Sequence, residues 1–450
     1  MKIKNYIPLL FLLLFTSCES FLENELPSNE IRFEEGLNSE TGLQELLNST
    51  YDVFANFSGG DRQKLAELLG EDALIEGNAG FLVQVYNRAT DFFNSDVGGF
   101  YNNPYFAITR ANTLLESLPN VEMSESTRAR MEGEAKTIRA ICHFQLVQLF
   151  SQPYGFTADN SHLGIVLRTQ SAPQPQPRNT VKEVYDQIIA DLKDAENLLP
   201  ESNGIYLNRY AAKAYLSKVY LNQGDYNNAV SYAEEVINSG KFQFSNDLNN
   251  RYQADAVSTE AIFTTISTGQ EDNRGKSLRD LFSSATQIPT IKASFEYADL
   301  LASNPDDQRN QWIAEANGVK VFTKYNLPYF NVSQITLSEM YLIVAECNGL
   351  LSRDLKKAVG YINAIKTRAG VQEMSEDANA VTVVTEARLE KRKEFGGEGI
   401  SLFDLKRRGA RGENVTIRDA AWNCPGMVLQ FPAAEIAIKG FELNEEGGCQ

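Results

Sequence analysis

Through most of the chain, apolar residues recur at the 3.6-residue spacing of an amphipathic helix. Leu43, Leu46, Leu47 and Tyr51 share one face, after a Thr41/Gln44 pair with the spacing of a capping box. Met131, Ala135, Ile138, Cys142, Leu146 and Leu149 mark one side of a long helix expected to end before Pro153. Thr180 and Glu183 form another capping box, followed by Val184, Ile188, Leu192, Ala195 and Leu199, with Pro200 as the stop. Between these helices, residues 172–178 are Pro-rich and read as an extended connector. The helical period disappears over about 241–335. There, 269–275 reads as an exposed loop and 262–266 as a short strand.

Two segments, 206–240 and 336–370, repeat one another. Asp225 matches Asp354, Ala229 matches Ala358, Tyr232 matches Tyr361, and Val236 matches Ile365. Each is close to the ~34-residue tetratricopeptide repeat, a helix–turn–helix unit with small residues where helices cross. Ala211, Ala214 and Ala229 supply the small residues, and Gly224-Asp225 breaks the first helix. Such a hairpin leaves an apolar face that only a neighbour can cover, so the units must stack. The expected fold is therefore mainly α: tetratricopeptide-like helical hairpins as a scaffold, with an irregular, loop-rich insertion carrying short strands.

Charge narrows the function. The net charge of −17 excludes a sequence-independent nucleic-acid binder, which needs a basic face, and a basic attachment to anionic lipid. At the N-terminus, Lys2 and Lys4 precede an apolar run over 7–15, short of the ~20 residues that span a bilayer. It reads as a signal peptide over residues 1–17. Leu14-Phe15-Thr16-Ser17-Cys18 resembles a bacterial lipobox, which makes Cys18 the expected lipidated residue. An extended, lipid-anchored segment is expected over 18–40 and a single helical domain over 41–450. Cys142 and Cys347 fall in helical patterns and read as buried thiols. Cys424 and Cys449 lie in the loop-rich C-terminal part, where an exported protein can hold a disulfide, and sequence leaves that pairing open. Two histidines, His143 and His162, make no zinc site, and no cofactor loop or catalytic motif occurs. The run Arg388, Lys391, Arg392, Lys393, Lys406, Arg407, Arg408 and Arg411 interleaves with Glu386, Glu390 and Glu394, and reads as a salt-bridged, solvated face.

Several local patterns then occur in order. After Cys18 come Phe21-Leu22-Glu23 and Pro27, then Arg110-Ala111-Asn112. Gly133-Glu134-Ala135-Lys136, Ile138-Arg139-Ala140 and Gln148-Leu149-Phe150 precede Pro153-Tyr154-Gly155. Later come Ala345-Glu346, Arg368-Ala369-Gly370, Phe403-Asp404-Leu405-Lys406-Arg407, and finally Phe431-Pro432 with Glu435-Ile436. This ordered set resembles the SusD/RagB family of Bacteroidetes outer-membrane nutrient-binding lipoproteins. The chain departs from the family's usual Asn-Pro-Gly-aromatic ending, and has Asn444-Glu445-Glu446-Gly447-Gly448-Cys449-Gln450 instead.

The resemblance implies a non-enzymatic lipoprotein on the outer membrane, facing the cell exterior. It would bind an oligosaccharide and deliver it to a SusC-like TonB-dependent transporter. Sugar rings stack on aromatic planes while polar side chains bond the hydroxyls. Residues 91–103 mix both kinds, with glycines that argue against regular helix. The expected ligand-binding residues are Phe93, Asn94, Phe100, Tyr101 and Asn103; the last aromatics precede the family's helix start at Tyr105, Ile108, Ala111 and Asn112. The acidic balance favours a neutral glycan. Two alternatives stay open: a RagB-like peptide binder of the same fold, and a helical glycan-cleaving enzyme, which needs only two suitably spaced carboxylates.

Overall fold

A computed structural model describes residues 36–172 and 174–449; Cys18 and the lipobox lie outside them. The helices are α1 (Glu40–Ser58), α2 (Asp61–Leu69), α3 (Leu82–Tyr86), α4 (Ser95–Ser117), α5 (Glu125–Phe150), α6 (Val181–Leu198), α7 (Arg209–Gln223) and α8 (Tyr226–Asn238). After them come α9 (Lys276–Phe282), α10 (Phe295–Ala302), α11 (Leu337–Leu350), α12 (Leu355–Arg368), α13 (Ala380–Phe395) and α14 (Ser401–Ala410). The Thr180/Glu183 capping box opens α6 as expected. The box expected at Thr41/Gln44 does not form, because Ser39 caps α1 by accepting from the Gly42 amide.

Both repeats are helical hairpins, α7–α8 and α11–α12, and α8 packs against α11. The insertion therefore leaves and returns while the hairpins stay side by side. The α5–α6 pair extends the stack at α7, and α13 packs against α11 and α12. Ala211, Ala214 and Ala229 are buried, and the Ser217 hydroxyl donates to the Ala229 carbonyl at 2.8 Å, so the crossing is close. Gly224 ends α7 in the left-handed conformation, φ 78°, which glycine adopts without a Cβ penalty.

The insertion holds β2 (Ala261–Thr265), paired antiparallel with β6 (Val332–Thr336), and β3 (Ile291–Ala293), which pairs antiparallel with β1 (Ala73–Ile75) from the segment between α2 and α3. β4 (Ile313–Ala316) and β5 (Val319–Phe322) form a hairpin whose turn is Asn317-Gly318, both at positive φ, the combination a type I′ turn requires. One apolar cluster runs from Leu43 to Phe431 and includes residues of the insertion.

Most of the basic stretch is salt-bridged but not solvated, although Lys406 and exposed Arg411 donate to backbone carbonyls instead. Glu390 and Glu394 are buried. Arg309 reaches Glu390 at 2.8 Å, Arg251 reaches Glu394 at 3.2 Å, and Arg368 pairs with Glu394 as well. Buried Glu346 takes Arg388 and Arg407 at 2.7 Å and Lys391 at 2.9 Å. The partners come from the insertion and from other helices, so these carboxylates tie elements together rather than dressing one exposed helix face.

Candidate functional site

Segment 87–94, between α3 and α4, is held by its own polar side chains. Asp91 accepts from the Phe93 amide and from Gln84 Nε2, both at 2.8 Å. Asn94 caps α4 by accepting from the Val97 amide at 3.0 Å, and its amide nitrogen donates to the Phe81 carbonyl at 3.0 Å. With the backbone fixed, the Phe93 ring is left 70% exposed, 4.4 Å between centroids from Phe92. An aromatic this exposed on a braced loop offers a stacking face.

A strap from the C-terminal part forms the opposite wall. Cys424 and Cys449 are disulfide-bonded, with Cα atoms 5.3 Å apart, and the Gly426 amide donates to the Gly448 carbonyl at 3.2 Å. Gln430 Nε2 donates to the Asn444 carbonyl at 2.8 Å, and the Asn444 amide returns a bond to Gln430 Oε1 at 3.0 Å. The two walls also touch: the Gln430 amide donates to Thr90, and the Ala433 amide to the Phe92 carbonyl, both at 3.0 Å. Between them lies a cleft of about 450 Å³, within the ~300–1,000 Å³ of small-molecule sites. Asp91, Glu445 and Glu446 line it. Arg88, the one cation lining it among the described residues, is buried and donates to the carbonyls of Leu69 and Ile417; burial, with Arg418 adding repulsion, lowers its pKa to about 10. The cleft combines an aromatic pair, carboxylate and amide oxygens, and a negative field.

Of the expected residues, the structure brings Phe93 and Asn94 to this wall, Phe93 as an exposed face and Asn94 as its buried support. Asn103 is half-buried on α4 and is not among the residues lining the cleft. Phe100 and Tyr101 are corrected: both are only 2% exposed and belong to the core. Tyr101 lies edge-on to Phe150 and Phe431, with centroids 5.1 and 5.5 Å away, and Phe100 packs against Phe57. The physical reason is that α4 begins at Ser95, before the glycines, so Gly98 and Gly99 lie inside a regular helix. Val97, Phe100, Tyr101, Pro104, Ile108 and Ala111 then form its buried stripe. Sequence reasoning missed Phe92 as a site residue and the strap altogether; the pair Cys424 and Cys449 was the available signal for the strap.

A family model described as "Starch-binding associating with outer membrane" matches residues 20–221, and the SusD family model matches 212–423. The chain belongs to the SusD/RagB family. Among curated relatives, SusD-like protein P2 of Formosa agariphila is 26% identical over 425 residues, covering 80% of each chain. SusD-like protein P25 of the same organism is 21% identical and covers 91% of this chain and 90% of its own. A SusD superfamily protein from Bacteroides vulgatus superposes with a TM-score of 0.81 at 22% identity, covering 90% of this chain and 99% of that one. A laminarin-binding SusD-like protein superposes at 0.72 with 20% identity, with the same coverages. The mainly helical, tetratricopeptide-like architecture is thus that of the SusD superfamily, a carbohydrate-binding family.

Apart from Arg88, this SusD-like chain places its strongly perturbed histidine and carboxyl groups outside the lining of the cleft. Burial, with Arg139 and Arg168 nearby, lowers His143 to about 3, so it is a neutral interior side chain. Burial and the adjacent Asp72 push the Glu67 carboxyl up, yet both acids are enclosed, Glu67 accepting from the Gly399 amide and Asp72 from Arg392. Enclosed carboxylates cannot flank a glycosidic bond. Among the described residues, no group of three His, Cys, Asp or Glu side chains is arranged to hold a metal, and no helix is long and apolar enough to cross a membrane.

Proposed function

We propose that this SusD-like protein captures a neutral oligosaccharide in the Phe92–Phe93 cleft, without cleaving it, and delivers it to a SusC-like TonB-dependent transporter. The observation that carries the reading is the exposed Phe93 ring facing a strap rich in amide and carboxylate oxygens. A pyranose needs such a pair of surfaces, one for its C–H face and one for its hydroxyls. Neutrality follows from charge: Asp91, Glu445 and Glu446 repel uronates and sulfates, and the Arg88 guanidinium is committed to backbone carbonyls. Lipidation at Cys18 would hold the protein at the outer face of the outer membrane, consistent with the family's association with that membrane.

Calorimetry with laminari- and malto-oligosaccharides tests the site, the first because a structural neighbour is named for laminarin and the second because a matching family model is named for starch. Aromatic contacts contribute about 0.5–1.5 kcal/mol each, so replacing Phe92 and Phe93 by alanine lowers affinity by about one to two decades. Unchanged affinity in the double variant contradicts the assignment.

A further inference from the structure

A second concavity of about 230 Å³ lies between α1 and the insertion, lined by none of the residues of the Phe92–Phe93 cleft. Its wall is Ile205 and Tyr206, in the turn before α7, which are 50% and 36% exposed. Apolar side chains in a free turn usually fold back onto the core; these two stand at the surface, side by side. The Tyr206 ring rests against Tyr51 at 4.9 Å between centroids, and Tyr51 is itself anchored, donating to Glu134 at 2.5 Å and accepting from the Leu207 amide at 3.0 Å. Tyr206 is thus a braced platform rather than a loose side chain.

Polar groups for hydroxyls stand at the other end. Arg274 bridges Asp52 at 2.8 Å and Asp272 at 2.7 Å, giving fixed donors and acceptors in one place. The approach of this loop to α1 is built in: at Gly59, a Cβ would lie 1.8 Å from the Arg274 carbonyl oxygen. The lining also includes Thr264 of β2, whose hydroxyl is buried without a hydrogen-bond partner.

We infer that this groove is a second saccharide-binding site, with a sugar ring on Tyr206 and its hydroxyls bonded by Asp52 and Arg274. A carbohydrate fits better than an anionic ligand because two carboxylates, Asp52 and Asp272, outweigh the single Arg274 guanidinium they hold. The inference shares with the proposed function the premise that the ligand is a glycan, and the assignments are separated by stoichiometry.

Titration with laminaritriose and maltotriose, against two clefts that share no lining residue, is expected to give two molecules bound per chain. Tyr206→Ala is expected to reduce this to one, Asp52→Asn to weaken the same site at least tenfold, and Tyr206→Trp to retain two. The Phe92/Phe93 double alanine variant is expected to leave one site, removed in turn by Tyr206→Ala. One site in the native protein, lost with Phe92 and Phe93 and indifferent to Tyr206, overturns the inference and leaves the first cleft standing. One site lost with Tyr206 and indifferent to Phe92 and Phe93 overturns the first assignment and supports the groove. Binding of neither sugar contradicts both.

Discussion

Phe93 and Phe100 are the same residue type seven positions apart, and only their direction separates a site from a core. The direction was legible in the spacing of Val97, Phe100, Tyr101, Pro104 and Ile108, a helical stripe that outweighs the helix-breaking tendency of Gly98 and Gly99. Phe100→Ala is accordingly expected to cost about 3–5 kcal/mol of stability in a denaturant titration, as core truncations do. An unchanged midpoint contradicts the core placement. Glu394 shows the converse limit. Its i, i+4 neighbours suggested a solvated face, and no local spacing could reveal that Arg251, Arg309 and Arg368 converge on it. Burial alone would raise its pKa, but these three guanidinium groups outweigh burial and hold it at about 2. Its folded value lies below the unfolded one, so its stabilising effect is complete above about pH 4.5 and is lost as pH falls toward 2. Glu394→Gln should therefore be least stable relative to the native protein at pH 7, with the gap closing on acidification. A gap independent of pH between 7 and 3, measured by chemical denaturation, contradicts this account.

Elements were legible where the chain repeats itself. The hairpins α7–α8 and α11–α12 follow from small residues at matched positions, and their stacking follows from the apolar faces a lone hairpin cannot cover. Ala229→Leu is expected to destabilise by about 1–3 kcal/mol through overpacking at the α7–α8 crossing, and an unchanged melting temperature contradicts that close approach. Strands were less legible: β2 was anticipated within a residue at each end, whereas the β4–β5 hairpin went unread despite its Asn-Gly turn. The strap was legible only as an open pairing of Cys424 and Cys449, because spacing does not determine whether they bond. That disulfide fixes one wall of the cleft while the helical stack is held by its own core. Replacing both cysteines by serine should raise hydrogen exchange over 444–448 and weaken glycan binding about tenfold, the helical melt shifting little. Full affinity with a freely exchanging strap contradicts a role for the strap in binding.

For the whole molecule, the cleft wall from 87–94 and the strap are bonded to one another and rest on the apolar cluster that runs through the helical stack. On the proposed reading, the acidic balance suits neutral cargo and attachment to the membrane would depend on the single residue Cys18. Cys18→Ala should move the protein from the membrane fraction to the soluble exported fraction; retention at the membrane contradicts the lipobox reading. The central claim is that Phe92, Phe93 and the strap together hold the glycan. A crystal structure of the protein soaked with laminarihexaose tests it most directly. The account predicts a sugar ring stacked on Phe93 with hydroxyls bonded to residues among 444–446. Sugar bound elsewhere, with this cleft empty, would contradict it.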